Sequence, residues 1–126
     1  MSDSPKVVAL VRDLMFASRI TASARMQGLS VKIVRTTAAL EQVAGNRLIV
    51  DLAEPGAIAA VVAWKQRTGG QTVGFVSHVD QQTIADARQA GIDRILSRGG
   101  FTAQLDRLID AHLPLLPTDT ASDRSD

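Results

Sequence analysis

The chain has 126 residues, about one domain's length, and with 45% hydrophobic but only 3% aromatic residues its core must be built from Val, Ile, Leu and Ala. Its 14 basic and 13 acidic residues leave a formal charge of +1, which gives no electrostatic footprint for nucleic acid or an anionic membrane. The absence of cysteine excludes a disulfide scaffold, a Cys-ligated zinc and a thiol nucleophile, and His78 and His112 lack a metal-ligand spacing. Met1 to Pro5 show no basic stretch leading into a long apolar run, and Val7 to Val11 is far too short to span a bilayer. The expected location is therefore the cytoplasm.

In chain order, short β-branched runs alternate with segments of helical period. The first run, Val7 to Val11, leads into a helical segment from Leu14 to Gln27 that Gly28 closes. The next run, Val31 to Val34, alternates in polarity and suits an edge strand. Thr36 and Thr37 can cap the helix after it, expected to end at Gly45-Asn46. Leu48 to Val50 is the third run, followed by a helix starting near Pro55 and ending before Gly69-Gly70. Thr72 to Val76 is the fourth run, and Asp80 is a good N-cap for a helix ending at Gly91. Arg94 to Leu96 is the fifth. Phe101, Leu105, Leu108 and Ile109 then form an i, i+4, i+7, i+8 stripe of one last helix.

Five β-α units with short connections predict an α/β fold, a flavodoxin-like, doubly wound (βα)5 domain with helices on both faces of a parallel sheet. Residues 1–5 read as an N-terminal extension, 6–113 as the domain, and 114–126 as a disordered tail or linker start, since it holds Pro114, Pro117 and little apolar content.

In such sheets ligands bind beyond the carboxyl ends of the strands. The polar residues there are Arg12 and Asp13, Asp51, Ser77 and His78, and Ser97 and Arg98. Each also has a plain structural reading. Asp13 can be the N-cap of the first helix, Asp51 can cap a turn, and Ser77 can cap the helix that follows. His78 fits an exposed loop residue, His112 a surface position near a helix end, and Trp64 a packing residue. Of the apolar trio Leu14-Met15-Phe16, one is expected to face outward.

Taken together, Asp13, Asp51 with Pro55, Ser77, the turn Ala90-Gly91-Ile92-Asp93, and Arg98 seven residues after Gly91 resemble the CheY-like receiver domain of bacterial response regulators. The resemblance covers residues 6 to 112 and implies a strand order of 2-1-3-4-5. It implies that Asp51 is the phosphoacceptor, that Asp13, Asp51 and the Ala53 backbone carbonyl hold Mg²⁺, and that Ser77 and Arg98 contact the phosphoryl group. It also implies a protein partner, either a histidine kinase or a downstream signalling protein, and a homodimer surface on the fourth helix, fifth strand and fifth helix.

The chain departs from this pattern at several points. Arg12 stands where a second acid is usual, Arg98 replaces a Lys, Gly99-Gly100 replaces a Pro, Ile95 an aromatic residue and His78 a small one. A receiver site carries an excess of carboxylate that a divalent cation neutralises. Here Asp13 and Asp51 face Arg12 and Arg98, and the sum is near zero. If Arg12 points into the site, it can pair with Asp51 in the metal's place, leaving Mg²⁺ binding weak or absent and phosphorylation weak or absent. The expected function is that of a stand-alone, atypical, non-enzymatic receiver acting by protein contact.

Two alternatives share the scaffold. A small hydrolase or phosphatase would use Ser77 and His78 with Asp51 or Asp80, but the chain lacks a Gly-x-Ser-x-Gly elbow and has Asp51-Leu52-Ala53 in place of Asp-x-Asp. A nucleotide or flavin binder would need glycine after the first strand, where Arg12 to Phe16 has none.

Overall fold

The computed structural model describes residues 6–77 and 80–115. The elements are β1 (Val7–Leu10), α1 (Leu14–Met26), β2 (Val31–Val34), α2 (Thr37–Leu40), β3 (Arg47–Asp51), α3 (Ala57–Thr68), β4 (Gln71–Val76), α4 (Gln81–Gln89), β5 (Arg94–Ser97), α5 (Arg98–Ala103) and α6 (Leu105–Leu108). The strands form one parallel sheet of order β2-β1-β3-β4-β5, with the alternating strand β2 at an edge, as expected. No helix among the described residues is long and apolar enough to cross a membrane.

Strand alternation sorts the core into two layers. Val7, Ala9, Val11, Ile49, Val73 and Phe75 pack under α1, α5 and α6, against Phe16, Ile20, Phe101, Leu105 and Leu108. Val8, Leu10, Leu48 and Val50 pack on the other face against Leu40, Val61, Trp64 and Ala87. All three phenylalanines of the chain meet in the first layer, with ring centroids 4.8 to 5.6 Å apart. Burying each such side chain contributes roughly 1.5–3 kcal/mol. Trp64 is a packing residue, as expected. It is 1% exposed, and its ring leaves no room for a side chain at position 70, where a Cβ would meet it at 2.5 Å.

Three helices differ from the sequence pattern. α2 ends at Leu40 and not at Gly45, and the chain continues through turns to Val43. Only Leu40 of α2 is buried, and the amides of Asn46 and Arg47 must reach the Lys6 carbonyl to start β3. Pro55 does not open α3. It occupies the second position of a turn closed by Ala57 N–H on the Glu54 carbonyl, with Gly56 at φ +76. This is type II turn chemistry, Pro then Gly, and it delays the helix by two residues. The last predicted helix is broken at Gln104 into α5 and α6, although its whole stripe from Phe101 to Ile109 is buried.

Two polar clusters brace the amino-terminal edge of the sheet. Arg47, 1% exposed, donates through all five N–H groups of its guanidinium to Gln71 Oε1 (twice) and to the carbonyls of Leu108, Asp110 and Leu113. It therefore ties β3 to the segment after α6. Asp93 accepts from Lys65 Nζ and from the Thr72 amide and hydroxyl, while its own amide donates back to Thr72 Oγ1. The Ala90-Gly91-Ile92-Asp93 turn thus locks β4, β5 and α3 together.

Candidate functional site

β1, β3, β4 and β5 deliver Asp13, Asp51, Ser77 and Arg98 to one edge of the sheet. The register pairs Leu10 with Val50, Asp51 with Phe75, and Val76 with Ser97, so these residues stand just beyond adjacent strand ends.

Asp13 is fully engaged. It is the N-cap of α1, with Oδ1 accepting from the Met15 amide at 2.9 Å and the Phe16 amide at 3.2 Å. Its Oδ2 accepts from Arg98 Nη2 at 3.1 Å. The Arg98 guanidinium, followed by the Phe16 and Met15 amides, holds this carboxyl below the usual carboxylate range. Arg98 opens α5, and its guanidinium carbon lies 4.2 Å from the centroid of the Phe16 ring, within cation–π range. Arg98 is therefore a site arginine, resting on the aromatic cluster and pointing at Asp13. Beside it an open groove of about 650 Å³ runs between α1 and α5, lined by Met15, Arg19 and Thr102 among others.

Asp51 ends β3, half-buried, with Oδ1 accepting from the Ala53 amide at 2.9 Å. That bond closes an Asx turn. Among the described residues it is the one hydrogen bond this carboxylate makes, so Asp51 does cap a turn and still has an oxygen to offer. Leu52 folds back over β4, where a Cβ on Gly74 would lie 2.8 Å from it. Ser77 is exposed and borders a small cleft with Leu52, Ala53, Asp80 and Thr83. It does not cap α4: Asp80 does, through the Thr83 amide and hydroxyl. His78 lies outside the described residues. His112 is exposed beside Asp110, in the segment after α6 that Arg47 holds to the opposite edge.

Arg12 does not pair with Asp51. Its Nη2 lies 3.6 Å from Glu54 Oε2, and its side chain is 61% exposed. Glu54 sits in the type II turn after β3 and offers a carboxylate that Arg12 reaches without being desolvated. The neutralisation expected of Arg12 is instead performed by Arg98, on the other carboxylate. Glu54 and the Phe16 ring are the participants that sequence reasoning missed. The Pro-Gly dipeptide at 55–56 signalled a turn that would lift Glu54 to this edge. Two of the three residues Leu14, Met15 and Phe16 face outward, since the buried stripe of α1 runs Phe16, Ile20, Ala24.

Mg²⁺ takes six well-placed oxygens and prefers carboxylate ligands. The residues at this edge do not fit it. Both oxygens of Asp13 are engaged, one of them by a cation; its neighbour Arg12 is a second cation, paired with Glu54, and no group of three or more His, Asp or Glu residues suited to a metal exists among the described residues.

Neither any family model nor any curated protein sequence matches this chain. Solved structures do. The receiver domain of the response regulator NarL of Mycobacterium tuberculosis is 16% identical, over 84% of this chain and 93% of its own, with a TM-score of 0.71. A CheY-like receiver domain protein of Methanospirillum hungatei is 13% identical, over 84% and 97%, with a TM-score of 0.68. A response regulator protein of Burkholderia pseudomallei, whose structure holds a phosphorylated aspartic acid, a calcium ion and citrate, is 12% identical, over 98% and 71%, with a TM-score of 0.72. The fold is the receiver fold. The five-stranded order and the helices on both faces belong to that architecture. On this receiver fold, Asp13 is bound to a guanidinium.

Proposed function

We propose that this chain is a receiver-type module of two-component signalling that acts by contact with another protein and is not switched by phosphorylation of Asp51. The fold supports the signalling class. The observation that carries the finer reading is the engagement of Asp13. Phosphoryl transfer to an aspartate needs a cation to neutralise charge building on the phosphoryl oxygens. Asp13, which on the receiver pattern would share that cation with Asp51, is committed to capping α1 and to Arg98.

Asp51 then serves as a turn-closing residue, and Ser77 as an exposed rim residue with no phosphoryl group to report. Contact falls to the outer surfaces. On the receiver pattern the face of α4, β5 and α5 is the one for a partner or a second copy. Gln81, Gln82, Asp86, Arg88 and Gln89 are exposed on α4, a polar composition suited to a reversible interface rather than an obligate one.

The test is intact-mass measurement after incubation with Mg²⁺ and acetyl phosphate or phosphoramidate, with Asp51→Asn in parallel. The wild-type mass is expected to stay unchanged. A phosphoryl adduct on wild type that is absent from Asp51→Asn would overturn the reading.

A further inference from the structure

We propose that Arg98 is a built-in counter-cation: its guanidinium holds the carboxylate position that a divalent ion would need, and its removal turns a metal-indifferent site into a metal-binding one. The proposal rests on the receiver-type reading of this edge and concerns what controls its charge.

Three observations support it. First, Arg98 Nη2 is 3.1 Å from Asp13 Oδ2, and the other oxygen of Asp13 already accepts two amides. An entering cation would have to break the Arg98 contact and then sit beside a guanidinium that cannot lose its proton. Second, Arg98 is held in place by more than its charge. Its guanidinium lies 4.2 Å from the Phe16 ring centroid, and Phe16 is itself buried against Phe75 and Phe101. A solvated surface pair contributes little because both side chains must be ordered to form it. Here the aromatic platform does part of that ordering. Third, Arg98 occupies the first position of α5, where the partial positive charge of a helix start disfavours a cation. A cation kept there is accounted for by its contacts with Asp13 and Phe16.

With Arg98 neutralised, Asp13 Oδ2 is released on β1's end while Asp51, on the adjacent strand β3, still has an oxygen to offer. Two carboxylates at neighbouring strand ends are then left without a cation, apart from Arg12, which is paired with Glu54.

The experiment is a titration with Mn²⁺, read by paramagnetic broadening of backbone amide signals, on wild type, Arg98→Met and Arg98→Gln. Met keeps the stem packed on Phe16, and Gln keeps a polar head. In wild type the amides of residues 12–14 and 51–53 are expected to broaden no more than those near other surface carboxylates. In the variants they are expected to broaden first, at about tenfold lower Mn²⁺, once the repelling unit charge is gone. Adding Asp13→Asn to Arg98→Met is expected to abolish the gain. Site-localised broadening in wild type matching that of the variants would overturn the proposal, and so would folded variants as indifferent as wild type. The wild-type titration alone decides if both variants fail to fold. Wild type that binds Mn²⁺ yet takes no phosphoryl adduct would defeat this proposal and leave the proposed function standing, whereas an adduct formed without Mn²⁺ binding would do the reverse.

Discussion

Arg98 at the start of α5 reaches Asp13 at the start of α1, Nη2 to Oδ2 at 3.1 Å, and so joins two helices across the end of the sheet. The contact has a structural consequence apart from any ligand. Asp13→Ala removes both the helix cap and the Arg98 contact, whereas Asp13→Asn keeps an oxygen able to cap. In urea denaturation the Ala variant is expected to unfold at a clearly lower midpoint than wild type, with the Asn variant between them. Equal midpoints for all three would show that Oδ1 does not cap α1.

Arg47 is a costly position to change. Its five donors satisfy Gln71 and three backbone carbonyls in a buried place. Arg47→Met fits the volume but leaves those carbonyls without donors, an expected loss of about 3–5 kcal/mol in chemical denaturation. A loss under about 1 kcal/mol would mean that water replaces the guanidinium at little cost.

Asp93 sets a pH dependence. Burial pushes its carboxyl up, but the Lys65 ammonium and the two Thr72 donors outweigh that and leave it below the usual range. A carboxyl lowered in the folded state binds its proton more readily when unfolded, so its stabilisation is complete above the unfolded value of about 3.9 and fades as pH falls through the folded one. The stability gap between wild type and Asp93→Asn is therefore expected to be constant from pH 7 to about pH 5 and to narrow below pH 4. A gap that widens on acidification would contradict the assignment.

The sole tryptophan reports on the packing of the second layer. Gly70 has no room for a Cβ against Trp64. Gly70→Ala is expected to cost about 1–3 kcal/mol and to shift Trp64 emission to longer wavelength as the ring is displaced. An unchanged spectrum and midpoint would mean that α3 moves aside freely.

The sheet was legible in the sequence because β1, β3 and β4 are buried on both faces and read as apolar runs, while Gly28, Gly69 and Gly91 mark the helix ends at positive φ. The residues that gather at the carboxyl edge were legible for the same reason, since strand ends converge by topology. Which residues pair there was not. Arg12 has Asp51 and Glu54 both within a few residues of the β3 end, and the choice depends on the Pro55-Gly56 turn, a backbone geometry that charge counting ignores. The hold of Arg98 on Asp13 was not legible either, because it depends on Phe16, 82 positions away in the chain. Arg47 gave no signal at all, since a basic residue opening an apolar run looks the same whether its four acceptors exist or not.

The measurement that bears most directly on the central claim is a pair of amide correlation spectra of wild type, before and after addition of Mg²⁺ with beryllofluoride, a mimic of the phosphoryl group. A site neutralised by Arg98 predicts that the signals of Asp13, Leu52, Ala53, Ser77 and Gly99 stay in place. Saturable shifts clustered on these residues would show that the site still takes a cation and a phosphoryl-like ligand, and would contradict a site neutralised by Arg98.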